Sequence, residues 1–550
     1  MKNKKIFLPC MAGLLIIQLI VVMWFCIQKQ GYHYDEYYSY YSSNVSYALV
    51  PTDMEWKDTD EIRSEFMVID GEGLGYGMVK LMQSLDVHPP LYYYLLRTVC
   101  FLSDGVFSKW QGLSINILFF VLSWLTLAAI TKEITGNDKK KIFTVCALFG
   151  FSPAIFSGIM FIRMYMMLSF VCLWILYVHV RAIMKGQRTI RGFYLPVCIL
   201  SFVGFHIHYY FAVFLFFLAA AVSLYLFFHK ESRKESFLYA GSVLLGLALS
   251  VIAYPACLKH IFRGYRGTEA QDAFFDLGNI DDRLSFFFNL TNEYAFGNML
   301  AVLLLCLIVL GLTKRAGRNF IGLAAGSKTL ELEETVQGEK LTVKKVWNPE
   351  KLAYMLILFV TVGYFLVVAK TALLNAEEAI RYEMPIYGLL ITLVVTGIGE
   401  LLEDFSTDKN RKVMSGVFVG LMIFTLAGEI AGFIDGKVCF LYPQDRENVE
   451  WAAEHHDDAV VYIYNPTNQW MIWDESEELM QYEQIYFAGS ETQEAVADER
   501  LSEADTVYVY TMRGDACEQT FDKIIKENGA FSEVNLVREL LYCDLYEMKR

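Results

Sequence analysis

Two adjacent carboxylates, Asp35 and Glu36, stand a few residues after the first long apolar segment of the chain. They lie in the stretch GYHYDEYYSYYSSN, where tyrosines surround them. Aromatic neighbours partly remove a carboxylate from water, which raises its pKa and suits it to accept a proton near neutral pH. Asp35 and Glu36 are therefore candidate catalytic residues, with ordinary solvated charge as the alternative.

Histidines occur in two other short polar segments, one just before a Pro-Pro pair and one in the sequence HIHYYF. Histidines two residues apart can bind a divalent metal ion together with a carboxylate from another segment. Capping and packing at a membrane interface are the alternative. The candidate substrate or metal ligands are Asp86, His88, His206, His208 and Tyr209.

Two arginines are each followed closely by a tyrosine, in FIRMYMM and in NAEEAIRYEMPIYG. The planar donors of arginine suit a phosphate group. Snorkelling toward lipid headgroups is the alternative. Arg163, Tyr165, Arg381 and Tyr382 are therefore candidate ligands of a phosphate on a donor substrate.

The composition indicates a membrane protein with an acidic soluble tail. Of the 550 residues, 55% are hydrophobic and 20% charged, whereas a soluble protein has about 45–50% apolar and about 25% charged residues. Residues 436–550 contain 25 Asp and Glu against 9 Lys and Arg, a net charge of −16, so the chain's total of −14 leaves +2 for residues 1–435. Disorder, a disulfide scaffold and nucleic-acid binding are disfavoured, because they need low hydrophobicity, dense cysteine or a basic patch.

Apolar segments long enough to cross a bilayer recur through the first 435 residues. The sequence predicts about eleven transmembrane helices of about 17–25 residues each. They lie at roughly 6–28, 112–131, 142–160, 164–181, 192–206, 208–228, 236–257, 297–313, 352–369, 384–400 and 412–434. The first is expected to be a retained anchor, because no A-x-A cleavage site follows it.

The aromatic segment 89–102 decides the topology. If it lies in the outer interface without crossing, the Lys-rich loops fall on the same side as the N-terminal lysines. The positive-inside rule then places the N-terminus in the cytoplasm and the C-terminus outside. The sequence therefore predicts a multi-pass protein of the cell membrane with a large first extracytoplasmic loop.

The tail alternates strand-like runs with helix-like stretches such as 515–528, which predicts a small extracytoplasmic α/β domain. The strand-like runs are AVVYIY, EQIYFAG, TVYVYT and LLYCDLYEM. An inner loop at 314–351 alternates like a hairpin around Gln337-Gly338. We therefore divide the chain into a membrane module at 1–435 and an acidic α/β domain at 436–550.

The central portions of the predicted helices contain no Asp, Glu, Lys or Arg. The ionisable residues nearest to membrane depth fall at the outer ends, namely Arg163, His206, His208, Arg381 and Glu429. Ion-coupled transporters generally need charge or broken helices near the midplane. Polar groups gathered on one face instead indicate an enzyme that acts on a phosphorylated lipid.

At these residues the sequence resembles the GT-C superfamily of integral-membrane glycosyltransferases, in particular the branch of protein O-mannosyltransferases and bacterial aminoarabinose transferases, glycosyltransferase family 39-like. The resemblance covers residues 1–435. The motifs that carry it are Asp35-Glu36, His88-Pro89-Pro90-Leu91-Tyr92, Arg163-Met164-Tyr165 after Ser152-Pro153, and Arg381-Tyr382 with Pro385.

The resemblance implies transfer of a sugar from a polyprenyl-phosphate donor to an acceptor on the outer face, with inversion. It implies that Asp35 is the catalytic carboxylate and Glu36 its companion. It also implies interfacial helices in the first outer loop and an acceptor that is a lipid, a protein or a glycan of the cell envelope. The aminoarabinose branch has Lys where this chain has His88 and an acidic residue where it has Val87. Whether this chain needs a divalent metal ion is therefore left open.

Two other functions are compatible with the same spans. A polytopic transporter or a flippase for lipid-linked sugars predicts midplane polar residues or two related halves, and neither is visible in the sequence. A non-catalytic scaffold would display the acidic tail to a partner. Both alternatives lack a reason for carboxylates, arginines and histidines to gather at one depth.

Overall fold

The computed structural model describes residues 2–44, 54–69, 71–103, 105–228, 233–317, 348–490, 498–529 and 531–550. The hairpin expected around Gln337-Gly338 lies outside these residues. Up to residue 434 the described chain is built almost entirely from helices. A mixed sheet follows in the C-terminal part.

Apolar helices long enough to cross a membrane dominate this first part. The described chain contains eight of them, or ten if each of two bent pairs is one span, and the helix at Ile190–Phe205 is apolar but shorter. In chain order the elements are α1 (Lys2–Gln28), α2 (Tyr34–Asn44), β1 (Glu55–Asp58), α3 (Thr59–Ser64), α4 (Tyr76–Leu85), α5 (Leu91–Phe101), α6 (Lys109–Ile134), α7 (Lys139–Phe151), α8 (Pro153–Met160), α9 (Tyr165–Lys185), α10 (Leu195–Phe205), α11 (Tyr210–Phe228), α12 (Arg233–Ala253), α13 (Ala256–Phe262), α14 (Tyr265–Phe275), α15 (Ile280–Leu290), α16 (Leu300–Gly317), α17 (Pro349–Thr371), α18 (Met384–Asp404) and α19 (Arg411–Ile434). The expected class, a polytopic helical membrane protein with a small C-terminal α/β unit, is confirmed.

One predicted span is broken. α7 and α8 meet at an angle of 52° because Pro153 has no backbone N–H to donate and disfavours the helical conformation for the residue before it. Ser152 is accordingly extended, with φ −72° and ψ 125°, and its hydroxyl donates to the carbonyl of Tyr294 over 3.1 Å. α8 ends at Met160, which leaves Arg163 in the short turn before α9.

The segment between α1 and α6 folds into short elements at one end of the long helices. We call this end the domain face; it is marked by Lys29 after α1, by Arg163 before α9 and by Ile434 at the end of α19. α5 has 11 residues, which is about 16 Å of helix at 1.5 Å per residue. It therefore cannot cross a hydrocarbon core of about 30 Å, as the charge pattern predicted for residues 89–102.

The C-terminal unit is one six-stranded sheet with the order β1-β3-β2-β4-β6-β5. Its elements are α20 (Asp445–Glu454), β2 (Ala459–Tyr464), a 3-10 helix (Pro466–Glu475), α21 (Ser476–Leu479), β3 (Gln484–Gly489), α22 (Glu499–Glu503), β4 (Thr506–Met512), α23 (Asp515–Glu527), β5 (Glu533–Glu539) and β6 (Cys543–Lys549). β2 is parallel to β3 and β4, and the other pairings are antiparallel.

The sheet takes its edge strand β1 from the first loop, more than 400 residues away in sequence. Trp56 pairs with Tyr486 in the register between β1 and β3. The sequence predicted β2, β3, β4 and β6 but neither edge strand. β1 (EWKD) and β5 (EVNLVRE) are polar, which is typical of edges that face water and hides them from a search for apolar runs.

A buried ion pair joins the two parts. Nζ of Lys29 lies 2.9 Å from Oε2 of Glu36, and both side chains are fully buried. Nζ also donates to the carbonyl of Phe440 over 2.7 Å, at the start of the tail. Glu36 further accepts from the backbone N–H groups of His33 (2.7 Å) and Ile162 (2.6 Å). Four chain segments therefore meet at this ion pair.

Removing one partner of this pair should cost much more than removing both. Lys29→Ala leaves Glu36 charged and buried, and we expect a loss of about 3–5 kcal/mol in the free energy of unfolding. The double variant Lys29→Met/Glu36→Gln should recover most of that loss. Thermal unfolding of the purified protein in detergent measures both, with the exposed Lys259→Ala as the matched control. A Lys29→Ala protein as stable as the control would contradict this account.

Candidate active site at the domain face

A cavity of about 780 Å³ opens at the domain face between the helices and the C-terminal unit. Its walls come from α2, from the turns before α5 and α9, from α9, α11, α13, α14 and α17, from the 3-10 helix Ala376–Glu383 before α18, and from the 3-10 helix of the C-terminal unit. The candidate residues that line it are Asp35, Asp86, His88, Arg163, Tyr165, His208, Tyr209, Arg381 and Tyr382. The fold thus brings together most residues that the sequence singled out.

Asp35 reaches the cavity from the first turn of α2, and its side chain is 25% exposed. Its Oδ1 lies 3.8 Å from Nη2 of Arg163, and its Oδ2 lies 3.8 Å from Nδ1 of His33. Its backbone carbonyl also accepts from Nη1 of Arg163 over 3.1 Å. The carboxylate therefore lies close to a guanidinium and an imidazole and is still open to a ligand.

The pKa of Asp35 differs from what the flanking tyrosines led us to expect. Burial raises the pKa of this carboxyl, but electrostatic interactions with Arg163, His33, Arg381 and His88 lower it and prevail. The pKa is therefore held below its usual range. An aspartate in this setting is ionised at neutral pH, yet it is a weaker base than one desolvated by aromatic rings alone.

Arg163 is almost fully buried, at 2% exposure. Its Nη1 donates to Oγ of Ser39 and to the hydroxyl of Tyr93, over 3.1 and 3.0 Å. Its Nε, like that of Arg381, is buried without a hydrogen-bond partner in the described chain. A buried N–H without a partner costs free energy, so both arginines retain a donor that an anion can satisfy.

Arg381 is tied to Asp35 through a histidine. Its Nη1 lies 3.3 Å from Oε2 of Glu378, and its Nη2 donates to the hydroxyl of Tyr382 over 3.3 Å. The same Glu378 oxygen lies 3.3 Å from Nε2 of His33, whose Nδ1 accepts from the backbone N–H of Asp35 over 3.0 Å. These partners assign the proton of His33 to Nε2. The bridge links Asp35 to the second arginine.

His88 is fully engaged by its neighbours. Nη2 of Arg163 donates to Nε2 of His88 over 3.3 Å, so Nδ1 carries the proton and donates to Oδ2 of Asp86 over 2.7 Å. The ring of His208 lies 6.2 Å from that of His88, between centroids. No group of three or more His, Cys, Asp or Glu in the described ranges could hold a metal ion. With a guanidinium at Nε2 and a proton on Nδ1, this set does not fit a divalent cation.

Two candidate residues do not line the cavity. Glu36 points to the buried contact with Lys29, away from its neighbour Asp35. His206 is largely buried with Nδ1 at 2.9 Å from the carbonyl of Phe202, and its own carbonyl accepts from the N–H of Leu91 over 3.0 Å. Both residues therefore hold backbone segments in place.

Sequence reasoning missed several residues of the cavity wall. Tyr34 and Tyr38 flank Asp35 on α2, and their spacing of four places them on one helix face, a signal that the sequence does contain. His260 accepts from or donates to the hydroxyl of Tyr209 over 2.8 Å. Trp470 and Trp473 come from the distant C-terminal unit, and nothing local in the sequence marks them.

The cavity has two chemically different ends. One end is apolar and is formed near the ends of membrane-length helices and by α13 and α14, with the lining residues Val213, Ile261, Phe274, Phe275, Val367 and Leu373. The other end is aromatic and borders the C-terminal unit, with Tyr34, Tyr38, Trp470 and Trp473. Asp35 and the two arginines contribute the charged part of the same wall.

Comparison with known proteins finds similar solved structures at low sequence identity. No protein-family model and no curated protein matches the chain. The crystal structure of ArnT from Cupriavidus metallidurans bound to undecaprenyl phosphate is similar with a TM-score of 0.48 and 9% identity, over 98% of this chain and 97% of that chain. The crystal structure of the same protein in the apo state has a TM-score of 0.45 and 9% identity, over 98% of both chains. ArnT is a GT-C aminoarabinose transferase.

Proposed function

We propose that this protein is an inverting glycosyltransferase that moves a sugar from a polyprenyl-phosphate donor to an acceptor hydroxyl at the domain face. The observation that carries the proposal is the meeting of one carboxylate, Asp35, with two buried arginines, Arg163 and Arg381, in a cavity that has an apolar end. The three residues come from separate segments. A lipid-linked phosphate needs both an apolar wall and fixed cations.

The donor phosphate binds between the two arginines. Each has a buried Nε–H without a partner among the described residues, and a phosphate oxygen supplies the missing acceptor. Arg–phosphate hydrogen bonds are charge-assisted and stronger than neutral ones. Tyr165 and Tyr382 stand next to each other, with ring centroids 5.9 Å apart, and complete the wall around the phosphate. The isoprenoid chain lies against the apolar end.

The reaction is a single displacement. The acceptor oxygen attacks the anomeric carbon and forms the new glycosidic bond, while the bond from that carbon to the phosphate oxygen breaks. The electron pair stays on the polyprenyl phosphate, where Arg163 and Arg381 stabilise the growing charge. Asp35 receives the acceptor proton. Attack from the face opposite the phosphate inverts the anomeric centre.

Donor binding also makes Asp35 a better base. Arg163 and Arg381 both lower the pKa of Asp35. A phosphate bound by these arginines adds negative charge near the carboxylate, which offsets theirs and raises its pKa. Proton abstraction is thereby favoured only when a donor is present.

The alternative, a transporter or flippase without transferase activity, needs polar groups along a path across the membrane. In the described chain, the charged residues of the main cavity lie at the domain face. A second cavity of about 250 Å³ is lined mostly by apolar side chains, with Arg188 as its charged residue. This distribution favours chemistry at one face.

Replacing the proposed base should remove transfer without unfolding the protein. Asp35→Asn keeps the size of the side chain but accepts no proton, and we expect kcat to fall by about 10²–10⁴-fold. We measure kcat as the rate at which polyprenyl phosphate is released from a panel of polyprenyl-phosphate sugars. Asp272→Asn, on the exposed side of α14, is the matched control. Turnover of Asp35→Asn at the control's rate would remove Asp35 from the mechanism.

The arginines should act on the donor and not on the acceptor. Arg163→Ala deletes charge-assisted hydrogen bonds of about 1.5–3 kcal/mol, so binding of polyprenyl phosphate should weaken by about 10–100-fold. In steady-state titrations the KM for the donor should rise more than the KM for the acceptor. Arg263→Ala, exposed between α13 and α14, should change neither. Equal effects on both substrates would argue against a phosphate site.

The pH dependence tests whether the donor tunes the base. The profile of kcat/KM reports the free enzyme and that of kcat the enzyme–substrate complex. Because bound phosphate raises the pKa of Asp35, the acid limb of kcat should lie at higher pH than the acid limb of kcat/KM. Arg381→Gln should move the kcat/KM limb upward, since one lowering charge is lost. Coincident limbs in the wild-type enzyme would refute this coupling.

A further inference from the structure

The C-terminal unit contributes an aromatic wall to the cavity. Its 3-10 helix, Pro466–Glu475, carries Trp470 and Trp473 toward α2. The ring of Trp470 lies 5.8 Å from that of Tyr34, and the ring of Trp473 lies 6.1 Å from that of Tyr38. These four rings define what we call the aromatic wall. It lies directly beside Asp35.

The two tryptophans are held differently. Trp473 donates its indole N–H to Oε2 of Glu65 over 3.1 Å, and its ring centroid lies 4.8 Å from that of Tyr41. Contacts with the first loop and α2 therefore hold this ring in place. Trp470 is 38% exposed and contacts Tyr542 at 5.9 Å. A large aromatic ring exposed in a cavity offers an apolar face with a polar edge to a ligand.

We propose that the aromatic wall is the acceptor subsite and that the acceptor presents a neutral sugar ring beside the attacking hydroxyl. The inference rests on the proposed function, because it takes Asp35 as the base and the arginines as the phosphate site. The sugar ring stacks on Trp470 and Tyr34 and places its hydroxyl at Asp35. The C-terminal unit thereby selects the acceptor.

The order of contacts in the cavity separates the acceptor from the donor. Tyr34 of the aromatic wall is next to Asp35, which contacts Arg163. Farther along the cavity the ring of Tyr165 packs on that of Tyr382. The ring of Tyr382 in turn lies 6.0 Å from that of Tyr210, between centroids. Tyr210 in turn accepts from Thr371 of α17 over 3.4 Å, next to the apolar end. An in-line displacement needs the acceptor opposite the leaving phosphate. We place the acceptor at the aromatic wall because its rings lie beside Asp35.

The chemistry of the wall favours a carbohydrate over a peptide. Peptides that bind by strand addition need an exposed sheet edge, and neither edge strand, β1 or β5, lines the cavity. Ring faces instead match the apolar C–H face of a sugar. The net charge of −16 on residues 436–550 repels polyanions. The fitting acceptor is therefore an uncharged glycan.

Binding to oligosaccharides tests the subsite directly. The full-length protein in detergent is titrated with maltotetraose, cellotetraose and chitotetraose, and with a Ser/Thr-containing hexapeptide, with saturation-transfer NMR as the readout. We expect at least one oligosaccharide and not the peptide to bind. Trp470→Ala should weaken that binding at least about tenfold, as truncation of an aromatic anchor in a binding site does, while Trp470→Phe, which keeps a ring, should retain most of it.

Further measurements keep the outcomes separable. Tyr34→Ala, from the opposite side of the wall, should weaken oligosaccharide binding as well, which covers a Trp470→Ala protein that fails to fold. Binding of a polyprenyl phosphate is measured in the same samples. If the wild-type protein binds polyprenyl phosphate but no oligosaccharide, or binds the peptide through Trp470, the subsite is wrong while the proposed function stands. If the wild-type protein binds no polyprenyl phosphate, the proposed function itself fails.

Discussion

The buried contact of Glu36 with Lys29 and two backbone N–H groups fixes the geometry on which the candidate site depends. It anchors the first turn of α2 to the end of α1, to the turn before α9 and to the start of the C-terminal part. Because successive residues of a helix point in different directions, burying Glu36 turns Asp35 toward the cavity. The pair that looks like two equivalent acids in sequence is thus one buried structural carboxylate and one carboxylate that lines the cavity.

Charge balance governs the rest of the cavity. Asp35, Arg163, Arg381 and Glu378 come from three segments, and His33 bridges them. The two arginines are buried, yet within the part of the chain that the structure describes each keeps an Nε–H without a partner. Such an arrangement is costly unless an anion completes it. The proposed donor phosphate both satisfies the arginines and removes their hold on the pKa of Asp35, so one ligand prepares the site for the next.

The C-terminal unit is built into the membrane module and does not hang from it. Its sheet takes β1 from the first loop, its tryptophans line the cavity, and its first residues accept a hydrogen bond from Lys29. This acidic unit therefore borders the cavity directly.

The sequence alone determined the membrane spans, the four central strands of the sheet and the segments that carry the candidate chemistry, because apolar length, alternation and clustered charge are local properties. Only the tertiary structure decided which side chains face the cavity. Glu36 and His206 hold backbone segments in place. The pKa of Asp35 is lowered and not raised, because Arg163, 128 residues away in sequence, lies beside it in the folded chain. Trp470 and the polar edge strands carry no local signal, since their role comes from what packs beside them. Burial and neighbouring charge are set by long-range contacts, and these contacts exist only in the folded chain.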